Sequence, residues 1–132
     1  MIPKFRAWHK PTQLMDDVVL IDFYNEKIGI LYADPVMQCE SIQKYNFNEV
    51  ELMQSTGLKD KSGKEIYEGD IIDVGTRIPF LNKIQKDEET NYLKLVPIDE
   101  RWTESYFTSF EDKSRFEILG NIYENKGLLE VG

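Results

Sequence analysis

Apolar residues in this chain come a few at a time, and turn formers separate the runs. The runs are rich in Val, Ile, Tyr and Phe, which is the chemistry of strands rather than helices. Lys4 to Trp8 alternates, with Phe5 and Ala7 on one side and Arg6 and Trp8 on the other. His9-Lys10-Pro11-Thr12 reads as a turn, because Pro11 fixes φ and has no N–H. Val18 to Tyr24 and Lys27 to Tyr32 predict two strands joined through Asn25-Glu26 as a hairpin. Asp34-Pro35 breaks the pattern, Val36 to Tyr45 has no clear period, and Phe47 to Met53 predicts a further strand.

Asp60-Lys61-Ser62-Gly63 is a turn in which Gly63 is available for positive φ. Glu65 to Tyr67 and Asp70 to Val74 predict strands that meet near Gly69. Phe80 to Lys86 predicts a helical turn running into the acidic Asp87-Glu88-Glu89. Tyr92 to Ile98, Tyr106 to Phe110 and Arg115 to Leu119 complete the strands, and Asn121 to Leu129 predicts a short helix or an irregular tail. The expected fold is mainly β with few short helices. Closely spaced strands and hairpin turns fit a small barrel or roll better than a sandwich.

At 132 residues the chain has the size of one domain. A chain of this length buries roughly two-thirds of the surface it exposes when unfolded. With 41% hydrophobic and 12% aromatic residues, it has the material for a core without disulfides or metals. There is no internal repeat and no Gly/Ser linker. If two parts exist, the expected seam lies near residues 55–63. Residues 1–55 would then form an extension of strands with a hairpin, and 56–132 a second part, or 1–132 would form one unit.

Sixteen Lys and Arg stand against 24 Asp and Glu, a formal charge of −8. Residues 67–132 carry −6 of it and residues 1–66 carry −2. An anionic surface repels phosphate backbones, which disfavours unspecific nucleic-acid binding. The first ten residues, with Lys4, Arg6 and Lys10 and no acid, run against that trend. Cys39 is the only cysteine, so no intrachain disulfide forms and a reducing cytoplasm is the expected location. No apolar run has the length of a signal peptide or a membrane span, and no membrane association is expected.

Three blocks carry a family resemblance: KFRAW at Lys4 to Trp8, TGLKDKSGKEIYEGDII at Thr56 to Ile72, and ILGNIYEN at Ile118 to Asn125. Together they resemble the YopX-like proteins of phages and prophages, and the central block is long and specific. The resemblance implies an SH3-like barrel in the C-terminal part. Gly69-Asp70-Ile71-Ile72 suits the start of a long barrel strand, since Gly69 permits a bend and the isoleucines favour strand. The chain departs from the family pattern at His9, where an acid is common, and at Lys126-Gly127, where Pro-Glu is common. The family supplies no catalytic or ligand residues to carry over.

The residues themselves offer little chemistry. His9 is the only histidine, so a Ser-His or Cys-His centre must use it, and a third orienting group is also needed. The structural reading makes His9 a turn residue and Cys39 a small apolar filler. One Cys and one His cannot close a zinc site. Asp87-Glu88-Glu89 and Asp99-Glu100 lack calcium-loop spacing and read as solvated surface. Asp70 and Asp73 fall on opposite faces of a strand, whereas Glu68 and Asp70 share a face and read as solvated. No catalytic residues, metal site or cofactor are therefore assigned.

What remains is surface. Arg6, Trp8 and Lys10 interleave cation and aromatic as single-strand binders do, with Tyr67 and Tyr106 as extensions. The plainer reading packs Trp8 on the hairpin and leaves the cations as ordinary surface charge. Trp102, Tyr106, Phe107 and Phe110 read as core, or as an interface if exposed. The first expectation is a non-enzymatic accessory module that binds a protein partner or itself through such surfaces. A nucleic-acid-binding barrel that uses Arg6, Trp8, Lys10 and Tyr67 is the second, and a carboxylate- or metal-dependent hydrolase the last.

Overall fold

The computed structural model describes residues 4–77, 80–106 and 115–130. Eleven strands run through these residues in chain order. They are β1 Phe5–His9, β2 Leu14–Asp22, β3 Lys27–Asp34, β4 Cys39–Asn46, β5 Val50–Lys59 and β6 Glu65–Tyr67. β7 Asp70–Asp73, β8 Leu81–Lys86, β9 Leu93–Pro97, β10 Ser105–Tyr106 and β11 Glu117–Asn121 follow. All pairings are antiparallel. Among the described residues the helical segments are 3-10 turns at Phe47–Glu49 and Lys126–Leu129, so the protein is mainly β. The chain divides into two compact units, Met1–Gln54 and Ser55–Gly132.

The N-terminal unit is a meander in the order β4-β3-β2-β1, with the first half of β5 beyond β1. Its core is Ala7, Ile28 and Val50, packed by Val18, Ile21, Tyr45 and Phe47. Register explains that set. Ile28 stands opposite both Ile21 and Tyr45, and Ile30 stands opposite Val18. Val18 and Ile21 are three apart and should face opposite sides of a regular strand. A bulge between Val18 and Leu20 inserts one residue and returns both to the core face. The hairpin turns hold Gln13, Glu26 and Gln38 at φ near 58°, 54° and 54°. Left-handed backbone is thus met here by side chains other than glycine.

In the C-terminal unit the second half of β5 pairs with β6, and β7 to β10 form a meander to which β11 returns beside β7. Ile66, Ile72, Val74, Ile84, Leu95 and Phe116 make the core, with Leu58, Phe80, Leu93 and Ile118 against it. Asn82 lies fully buried within β8, and its side-chain carbonyl has no hydrogen-bond partner.

Several expectations change. Phe80 to Lys86 is not a helical turn: Leu81–Lys86 is strand β8, in which buried Asn82 and Ile84 alternate with Lys83 and exposed Gln85. Five or six residues with period two suit a slot between β7 and β9 better than an isolated turn of helix. Phe47–Glu49 is a 3-10 turn, and the strand predicted from Phe47 begins at Val50. β2 starts at Leu14, ahead of the expected Val18. Cys39 is exposed at the start of an edge strand and fills no core. Phe107 and Phe110 lie outside the described residues, and Trp102 is exposed with its ring edge-on to Phe80 at 5.4 Å.

Candidate interaction surface

The central sequence block proves to be architecture at atomic detail. Thr56 Oγ1 donates to the carbonyl of Ile66 (2.7 Å) and accepts from the N–H of Leu58 (3.1 Å). Asp60 Oδ1 accepts from the N–H groups of Ser62 and Lys64, both at 2.9 Å, and Oδ2 from Ile118 at 3.1 Å. One carboxylate therefore closes the turn after β5 and ties it to β11. Burial raises the pKa of this carboxyl, but the donors from Ile118, Lys64 and Ser62 outweigh it and hold the group below the usual range. Asp70 is buried, 1% exposed, and Oδ2 accepts from the N–H of Tyr67 at 2.8 Å. The reading of Glu68 and Asp70 as solvated neighbours on one strand face is overturned. Glu68 sits in the turn between β6 and β7, half-buried, and burial lifts its carboxyl above the usual range against the pull of Lys86.

The third block works the same way. Asn121 Oδ1 accepts from Tyr123 and Glu124 at 3.0 and 2.8 Å, and Asn125 Oδ1 accepts from Asn121 at 3.1 Å. A Cβ on Gly120 would stand 2.4 Å from that Asn125 oxygen, so the close approach requires glycine. In both blocks the conspicuous polar residues hold backbone in place.

His9 is a strand residue, where a turn residue was expected. It closes β1, is buried, and stacks on Tyr45 with ring centroids 3.7 Å apart. Nδ1 lies 2.6 Å from Thr12 Oγ1, and Nε2 lies 3.4 Å from Glu49 Oε2. Thr12, His9 and Glu49 thus form a line with the order of a hydroxyl–base–acid relay. Glu49 also accepts from Asn46 Nδ2 at 2.8 Å, and the Lys10 N–H donates to the Glu49 carbonyl at 2.9 Å. These bonds fasten the β1–β2 turn to the lead-in of β5.

Arg6 and Trp8 lie on one face of β1, both half-buried, and Lys10 follows just past the strand. The register sets Asp17 opposite Arg6 and Glu51 opposite Trp8. Lys10 Nζ reaches Glu51 Oε1 at 3.2 Å and the Asn48 carbonyl at 3.4 Å. Acids from β2 and β5 therefore interleave with the basic strand, a neutralisation invisible while β1 is read alone. Tyr67 belongs to the C-terminal unit, where its hydroxyl donates to Glu65 Oε2 at 3.0 Å.

One apolar surface feature was not singled out by sequence. Ile21, Phe23, Ile28, Phe47, Val50 and Leu52 line a groove of about 210 Å³ in the N-terminal unit. β2 and β3 supply the cross-strand pair Ile21–Ile28, β5 supplies Val50 and Leu52, and Phe23 meets Phe47 edge-on at 6.1 Å. Among the described residues, ten of the fourteen exposed large hydrophobic side chains fall within residues 1–54. Val36 and Met37 at the β3–β4 tip and Leu31 and Ile42 on its strands are among them. Among the described residues no group of three or more His, Cys, Asp or Glu could hold a metal ion. No helix among them is long and apolar enough to cross a membrane.

The molecule is thus a small antiparallel β protein whose recurrent motifs maintain its own backbone. The model of the YopX protein family matches residues 4–130, and the chain belongs to that family. Its structure is similar to the crystal structure of protein EF1440 from Enterococcus faecalis, with a TM-score of 0.62 and 28% sequence identity. The similarity covers 98% of this chain and 99% of that one. No curated protein matches the chain.

Proposed function

We propose that this chain is a non-enzymatic protein-interaction module, a phage- or prophage-encoded accessory protein of the host cytoplasm, whose docking surface lies on the N-terminal unit. One observation carries the reading: among the described residues most of the large apolar side chains left in solvent fall in that unit, and two of them, Phe23 and Leu52, line a formed groove. An apolar groove rimmed by exposed hydrophobic side chains is the kind of surface on which protein partners dock. The C-terminal unit serves as an SH3-like platform; a five-stranded antiparallel sheet whose last strand returns to pair with its first supports that assignment. The neutralised basic strand argues for a protein partner over nucleic acid, since Asp17 stands opposite Arg6, Glu51 pairs with Lys10 and the chain carries −8.

The test is a tagged pull-down from host lysate after nuclease treatment, comparing the native chain with Phe23→Ser/Leu52→Lys. Both side chains are exposed, and circular dichroism verifies that the variant folds. A stoichiometric protein partner that the native chain retains and the variant loses is the expected result. A partner held equally by both would move the docking surface elsewhere. Binding that disappears with nuclease would put nucleic acid, through Arg6, Trp8 and Lys10, in its place.

A further inference from the structure

The outer edge of the N-terminal sheet is the strand β4, and among the described residues no strand pairs with its far side. Eight residues of open edge, seven of them exposed, are a template for another strand. The polarity of that edge follows from one hydrogen bond. Phe47 N–H donates to the Glu26 carbonyl at 3.0 Å, in register with the β3–β4 ladder that sets Lys27 opposite Asn46. Antiparallel positions alternate between bonding inward and facing away. Counting from that bond, Glu40, Ile42 and Lys44 turn their N–H and C=O groups outward, and Ser41 and Gln43 turn theirs to β3.

We propose that a second copy of this chain pairs with that edge, β4 against β4, about a two-fold axis through Ile42. In this register Ile42 faces its own copy, and Glu40 faces Lys44 of the other chain twice over. The outward backbone groups of Glu40, Ile42 and Lys44 all gain partners. These three side chains share a face, so the ion pairs flank an apolar centre. Leu31, the cross-strand neighbour of Ile42, extends that centre; the two are 49% and 51% exposed. On the other face Ser41 meets Gln43, and Cys39 meets Tyr45, without opposed like charges.

No neighbouring register does as well. A shift of one residue opposes outward groups to inward ones and loses the bonds. Moving the axis to Ser41 sets Glu40 against Ile42, and moving it to Gln43 sets Lys44 against Ile42. Only the Ile42 axis makes the edge complementary to itself in charge, hydrogen bonding and apolar contact. The groove lined by Phe23 and Leu52 takes no part, so this pairing stands or falls independently of the proposed docking surface.

The experiment is sedimentation equilibrium on the full chain, with Glu40→Lys, Lys44→Glu and the double reversal Glu40→Lys/Lys44→Glu. All three change exposed side chains, and circular dichroism verifies that each folds. The native chain is expected to dimerise. Each single reversal opposes like charges twice and weakens the dimer roughly tenfold or more, the double reversal restores it, and the two single variants mixed form a heterodimer. A native chain that stays monomeric at every concentration, or a dimer indifferent to the single reversals, would overturn the proposal.

Discussion

At the scale of single residues, the side chains that hold this protein together are acids and amides rather than catalytic groups. Asp60 accepts three backbone hydrogen bonds from two parts of the chain while buried. In Asp60→Asn one oxygen still accepts from Ser62 and Lys64, but the amide NH2 opposes the N–H of Ile118, donor against donor. Leaving buried polar groups mispaired costs about 1–3 kcal/mol, and urea denaturation at neutral pH should find a loss of that order. An unchanged midpoint would show that Ile118 finds another acceptor. The acid was legible in the sequence only as part of a turn. Its third bond reaches 58 residues ahead, beyond what local spacing encodes. His9 is a similar case: Pro11 marked a turn, but Tyr45 and Glu49 came to the ring through pairing with distant strands.

At the scale of elements, most strands followed from alternation and β-branched content, and errors fell where neighbours supplied the decision. β8 contains Asn82, Lys83 and Gln85, residues with no strong strand preference, and is a strand because β7 and β9 bond both of its edges. β2 and β4 began or ran where the sequence was ambiguous, since Gln13 and Gln38 close their turns in the left-handed region without a glycine to announce it. Besides Gly120, a second glycine matters within a strand, Gly29. A Cβ there would stand 2.8 Å from Ile42 Cγ2 and 2.9 Å from Leu20 Cβ. Ile42 can swing away, but Leu20 Cβ is fixed to its backbone, so steric cost outweighs the better strand propensity of alanine. Gly29→Ala is expected to destabilise the protein by about 1–3 kcal/mol and to speed amide exchange in β2 to β4. Exchange rates there equal to those of the native chain would mean that the strands part without strain.

For the whole molecule, the charge balance sets how stability responds to pH. Asp60 is held low for the reasons above, Asp22 chiefly by the Asn25 N–H, Asp87 by those of Thr90 and Glu89, and Asp99 at about 2 by Arg101. Depressed carboxyls contribute stability above their unfolded values, and that contribution disappears as pH falls through the folded ones. Glu68 runs the other way, because its raised pKa favours the folded state as it protonates. Four aspartates against one glutamate predict a urea midpoint that is level from about pH 5 to pH 8 and drops below about pH 4. A midpoint that rises on acidification would mean that Glu68 outweighs the aspartates.

Sequence alone determined the β class, the turn at Asp60–Gly63, the excess of acid and the family, because strand periodicity, turn chemistry and charge are local or additive properties. Tertiary structure decided the rest. Pairing set Asp17 and Glu51 beside the basic strand, the bulge after Val18 turned Ile21 into the groove, and sheet order left β4 at the edge. Each depends on which strands become neighbours, a choice made by burial across the whole chain and recorded in no single segment.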